Sequence, residues 1–191
     1  MDLTNIFVGE KIRLTEMNPQ EDAEKESLWT HSIDYARLRK ENPVRPMAAF
    51  EIRKDIEEKL KEAEQEGCSF YFAVHSRANG EELLGFLHIS GIEWANGQGL
   101  LRVLMGTEEI AHDHLAESLF LGLRYAFDEL NLYHIYCEVP AYEIDTIKVL
   151  EKAGFVREAC LREIVYRAGS YHDRIFYGML AEEWRQRKGL A

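Results

Sequence analysis

A chain of 191 residues, 46% of them hydrophobic, is long enough for one domain with a substantial core and short for two. No stretch is apolar for long enough to span a bilayer, and Asp2 with its polar neighbours does not read as an export signal, so a cytoplasmic protein without a membrane partner is expected. A formal net charge of −11 argues against nucleic acid as the main partner; acidity of this size either suits a basic partner or serves solubility alone.

Ile12 and Leu14 predict a first strand. Residues 20–40 show broken helical spacing, and Asn42-Pro43-Val44-Arg45-Pro46 then interrupts, because each proline restrains itself and its predecessor. Ile52, Ile56, Leu60 and Ala63 form a helical stripe within residues 50–66, closed by Gly67. Residues 70–74, 84–90 and 100–105 read as three strands of an antiparallel meander, with turns at Asn79-Gly80 and at residues 96–99. Leu115, Leu119, Leu123, Phe127 and Leu130 place one apolar face of a helix over residues 115–130. A strand at 135–139, a helix at 144–152 stopped by Gly154, and a hairpin of 161–166 with 174–180 complete an α+β pattern. With no linker or repeat, residues 1–191 read as a single domain. Three cysteines, Cys68, Cys137 and Cys160, are expected to stay reduced.

Four segments share an order that carries a resemblance. Gly9-Glu-Lys-Ile-Arg-Leu14 opens the chain, Tyr125-Ala-Phe127 lies in a helix, and Glu151-Lys-Ala-Gly-Phe155 ends another. Tyr166-Arg-Ala-Gly-Ser-Tyr-His-Asp173 follows at the spacing expected. Over residues 7–184 the chain resembles the GNAT superfamily of acetyl-CoA-dependent N-acetyltransferases, in the branch of ribosomal-protein N-terminal acetyltransferases of RimJ/RimL type. The resemblance implies a GNAT-type acyl-CoA N-acyltransferase fold: a mixed central sheet, splayed between its fourth and fifth strands and flanked by helices. Acetyl-CoA would lie in the splay as co-substrate, with no metal. The acceptor would be a primary amine, small or at a peptide N-terminus, a basic acceptor suiting the acidic chain, and a homodimer is compatible.

By the same resemblance, cofactor-binding positions fall on Leu104, Met105, Gly106, His112, His114, Leu115, Ala116, Glu117, Glu143 and Leu150. The family's pyrophosphate pattern, Arg/Gln-x-x-Gly-x-Gly/Ala, falls on residues 111–116, where only Ala116 matches. Its asparagine falls on Glu143, its proton-donating tyrosine on Leu150, and an acidic residue of the fourth strand on Leu100. Asp113, read as the N-cap of a helix beginning at Leu115, would repel pyrophosphate, so weak binding is expected; His112 and His114 either offer donors or are surface substitutions. On a turn entering a helix the side chains of His112, Asp113 and His114 would diverge, which argues against a metal site there.

For catalysis, backbone N–H groups near Leu104 and Met105 would hold the oxyanion. Thr146 stands where relatives carry a serine that protonates the thiolate, or is simply a first-turn helix residue. Glu93, Glu138 and His88 are candidates for deprotonating the amine. Tyr171, His172 and Asp173 read as structural, with Asp173 fixing the hairpin turn or pairing with Arg162 or Arg167. Trp29, Tyr35 and Trp94 line an acceptor pocket or belong to the core. Two functions follow: direct acyl transfer in a ternary complex, or a non-catalytic binding or oligomerisation module on the same fold.

Overall fold

A computed structural model describes residues 5–39, 43–78 and 81–189. In chain order the elements are β1 (Ile12–Thr15), α1 (Pro19–Trp29), α2 (Ile33–Leu38), α3 (Ala49–Glu66), β2 (Phe70–Ser76), β3 (Leu83–Glu93), β4 (Gln98–Met105) and α4 (Glu108–Arg124). A π turn (Tyr125–Glu129), β5 (His134–Pro140), α5 (Ile144–Ala153), β6 (Val156–Arg167), β7 (Ser170–Leu180) and α6 (Ala181–Gly189) follow. The strands form one seven-stranded sheet in the order β1-β2-β3-β4-β5-β7-β6, flanked by helices. It is mixed: β1 pairs β2 antiparallel, β4 pairs β5 parallel, and β7 pairs both β5 and β6 antiparallel.

Local chemistry sets most boundaries. Pro19 opens α1 with its fixed φ, and the Asn18 side chain accepts the Gln20 and Glu21 N–H groups. Gly67 and Gly154 end α3 and α5 in the left-handed conformation, with φ of 63° and 97°. Along β5, Ile135, Cys137 and Val139 are buried while the residues between them are partly exposed, the period of a strand with one covered face.

The chain divides into two compact units whose boundary crosses β3 and β4. The first holds the described residues up to His88 together with Val103–Leu121. Its core joins Trp29, Tyr35, Ala73, Leu83, Phe86 and Leu104, and α1 packs on α3 through Ala23, Met47, Ile52 and Ile56. The second holds Ile89–Arg102 and the chain from Gly122. Buried there are Leu123, Phe127, Leu132, Ile135, Val139, Leu150, Phe155, Ile175, Met179 and Trp184.

Three expectations change. First, α4 begins at Glu108 and not at Leu115, because residues 108–114 hold no helix breaker. Second, the expected stripe is buried at Leu115, Leu119, Leu123 and Phe127, but the helix widens before Leu130, whose N–H bonds to the Tyr125 carbonyl at 3.0 Å. Third, α6 was not expected, since its polar sequence has no amphipathic stripe. It is anchored through Trp184, whose ring stacks on Phe127 at 6.0 Å and whose Nε1 donates to Asp128 at 3.0 Å. The turn expected at Asn79-Gly80 lies outside the described residues, as do Lys40 and Asn42. All three cysteines are free thiols, and burial, with a smaller push from Glu138, raises the pKa of Cys137 well above the usual thiol range.

Candidate active site

In the first unit, β4 ends on Gly106, whose N–H donates to the Leu84 carbonyl at 3.0 Å. Strand alternation therefore turns the Met105 N–H to the edge away from β3, as an oxyanion donor requires. Gly106 is small for a packing reason: a Cβ there would lie 2.1 Å from the Trp29 ring. Trp29 and Tyr35 are buried in the core, which removes them from an open acceptor pocket, while Trp94 stands exposed at the β3–β4 turn.

The head of α4 differs from the anticipated loop. Thr107 caps it: its hydroxyl accepts the Ile110 N–H at 3.3 Å and its carbonyl accepts the Ala111 N–H at 2.9 Å. Glu108 and Glu109 fill the first turn, and the Glu109 carboxyl is held below the usual range by its own N–H and then by the Thr107 hydroxyl. The positive end of the helix is thus engaged by its own residues. His112, Asp113, His114, Leu115, Ala116 and Glu117 lie inside α4, where i→i−4 bonding occupies the backbone N–H groups that a loop would offer to phosphate.

Asp113 is accordingly an exposed helical residue and not an N-cap. His112 Nδ1 lies 3.0 Å from Asp113 Oδ1, and that hydrogen bond holds the Asp113 carboxyl down. Leu115 is buried against the core. Glu117 turns to the N-terminal segment, where its carboxylate accepts the backbone N–H groups of Glu10 and Lys11.

In the second unit, β4 and β5 pair only from Gln98–His134 to Leu100–Tyr136, while each strand runs further. β5 leads through a turn, closed by the Glu143 N–H to Pro140 carbonyl bond at 3.0 Å, into α5. The Thr146 hydroxyl donates to Glu143 Oε2 at 3.2 Å. Leu150, one helix turn further, is 2% exposed and wholly apolar.

Glu138 is nine-tenths buried at its side chain and lies 3.3 Å from Arg174 Nη1. Glu93 is exposed and accepts from Asn96 Nδ2 at 2.9 Å. Both carboxylates act on Tyr136, whose phenol is pushed up by burial first and then by Glu138 and Glu93. Sequence reasoning missed Tyr136 and Arg174, although the period of two already places Tyr136 and Glu138 on one face of β5. His88 belongs to the first unit, edge-on against Tyr71 at 4.8 Å. Among the described residues, no group of three or more His, Cys, Asp and Glu side chains is placed to hold a metal ion.

Asp173 does structural work, at a different place from the one expected. Its carboxylate accepts the Glu163 N–H at 3.0 Å and the Cys160 thiol at 3.4 Å, which pins a β-bulge of β6 with Glu163 at φ 54°. The Glu163 N–H, more than Arg157 or Arg162, holds its pKa down. The hairpin turn itself rests on Ala168 and Gly169, both at positive φ.

Comparison with known proteins agrees with this architecture. The acetyltransferase (GNAT) domain family matches residues 19–176, and the chain belongs to that family. It is 26% identical over 184 residues to YokL, an uncharacterized N-acetyltransferase of the SPbeta prophage of Bacillus subtilis (strain 168), covering 96% of this chain and 97% of that protein. Spermidine N-acetyltransferase from Vibrio cholerae, solved in complex with CoA and spermine, superposes with a TM-score of 0.75 at 19% identity, covering 91% of this chain and 98% of that one. A GNAT-family acetyltransferase from Bacillus anthracis gives a TM-score of 0.73 at 16% identity, over 92% and 98%. The class is therefore a GNAT-family N-acetyltransferase.

Proposed function

We propose that this protein moves an acetyl or other acyl group from coenzyme A to a primary amine by direct attack in a ternary complex. The observation that carries the reading is the Thr146 hydroxyl held at the head of α5 by Glu143, 3.2 Å away. Acyl-CoA supplies the activated thioester; the chain supplies the groups around it. Glu138 or Glu93 takes a proton from the acceptor ammonium through water, and the Met105 N–H stabilises the oxyanion as the C–N bond forms. When the C–S bond breaks, the nitrogen sheds its second proton to solvent, and the Thr146 hydroxyl turns from Glu143 to the thiolate, gives it a proton and recovers one from the solvent.

The acceptor is a peptide N-terminus, as in acetyltransferases of RimJ/RimL type, or a small polyamine-like molecule; the spermine named with the Vibrio cholerae neighbour and the net charge of −11 support a cationic acceptor. The same reading takes the chain as one cytoplasmic catalytic domain, alone or as a homodimer.

Thr146→Ala is expected to lower turnover about tenfold without changing acyl-donor affinity. A thiol of pKa about 8.5 departs as thiolate at modest cost, so activity persists. Thiol release measured over a panel of amines and N-terminal peptides checks this; an unchanged rate removes Thr146 from the mechanism.

A second reading, a non-catalytic binding or oligomerisation module, is favoured by the head of α4. Thr107 and Glu109 occupy the place where pyrophosphate would meet open N–H groups, and the first turn carries two carboxylates, so the residues there do not fit that group well. Neutralising both, as Glu108→Gln with Glu109→Gln, is expected to tighten CoA binding several-fold in titration calorimetry. Unchanged affinity would place the phosphates elsewhere. Tight acetyl-CoA binding without turnover on any acceptor would establish the second reading.

A further inference from the structure

The head of α5 has no side-chain cap, yet it carries Thr146 and Glu143. Its fixed point lies just upstream, where the Ala141 N–H donates to the Asp173 carbonyl of β7 at 2.9 Å. Next to it, Tyr142 is gripped from two sides. The Arg167 guanidinium carbon lies 4.3 Å from the centre of its ring, and the His172 ring meets it edge-on at 5.1 Å and 78°.

Arg167 and His172 come from the two strands of one hairpin. β6 and β7 pair through Val165–His172 and Arg167–Ser170, so the tight turn at Ala168-Gly169 presents both side chains together. Asp173 serves the same frame twice: its carbonyl holds Ala141, and its carboxylate fixes the bulge in β6. A cation over an aromatic face and a ring at its edge are directional contacts, which fix the orientation of Tyr142 as well as its burial.

The geometry points to Arg167 and His172 as positioning residues that, by clasping Tyr142, hold the first turn of α5 so that Thr146 meets the leaving thiolate. This rests on the assignment of Thr146 in the proposed function. A misplacement of about 1 Å at reacting groups costs on the order of 100-fold in rate, so loosening this turn lowers turnover while leaving donor binding in place.

The test replaces Arg167 with Met and His172 with Ala, with His172→Phe as the variant that keeps an edge-on ring. Arg167→Met is expected to reduce kcat about fivefold with the acyl-donor KM unchanged, and to have no further effect in a Thr146→Ala background. His172→Phe is expected to retain most of the rate that His172→Ala loses. Hydrogen exchange of the segment 141–149 is measured in parallel on the full chain, and faster exchange in Arg167→Met is expected. Unchanged exchange overturns the clasp. Faster exchange with full Thr146-dependent turnover overturns its positioning role. If Thr146→Ala has no effect on turnover, the assignment of Thr146 fails, and exchange alone decides whether the clasp orders α5.

Discussion

Glu26→Ala is expected to cost about 3–5 kcal/mol of folding stability, the loss typical when one partner of a buried ion pair is removed. Glu26 accepts from the Tyr35 hydroxyl at 2.9 Å and from the Arg39 guanidinium, whose other arm reaches Asp55 at 2.6 Å. The Arg39 and Glu26 side chains are 5% and 3% exposed, so water does not replace the lost carboxylate. Burial, and then the Glu26 charge, keep the Tyr35 hydroxyl protonated well above its ordinary range, which makes it a constant donor. Urea unfolding measures the effect, with Glu26→Gln retaining the bond to Tyr35 and losing less. A cost below about 1 kcal/mol would show that the cluster rearranges.

Gly85→Ala is expected to destabilise by about 3 kcal/mol, at the upper end for overpacking. A Cβ there would stand 2.2 Å from the Leu104 carbonyl oxygen and 3.0 Å from the Met105 Cα. Both neighbours are backbone, so no rotamer relieves the clash and β4 must shift. Since the displaced residues include Met105, the proposed oxyanion donor, turnover is expected to fall more than the folded fraction explains. Thermal unfolding together with kcat on the same preparation separates the two. Equal losses in both would leave Met105 without a catalytic role.

The terminal motif was the most legible part of the chain. Tyr171, His172 and Asp173 were readable as a structural unit of a hairpin, but their targets were not. Asp173 meets the bulge at Glu163 and His172 meets Tyr142, and neither contact follows from spacing within the hairpin. The proposed site was legible in its chemistry, because Thr146 and Glu143 stand three residues apart, the separation that joins side chains on one helical turn.

By itself the sequence determined the family, most of the strands, the glycine stops of α3 and α5, and the absence of a phosphate-binding glycine pattern from residues 111–116. These are properties of local periodicity and backbone freedom, written in consecutive residues. Only the tertiary structure decided that α4 starts at Glu108, that Glu117 binds the amides of Glu10 and Lys11, and that α6 docks through Trp184 on Phe127. A helix start depends on which cap the neighbouring turn allows, and Glu117 and Trp184 have partners roughly a hundred and more than fifty residues away. Contacts of that range are set by packing between elements, which no local pattern encodes.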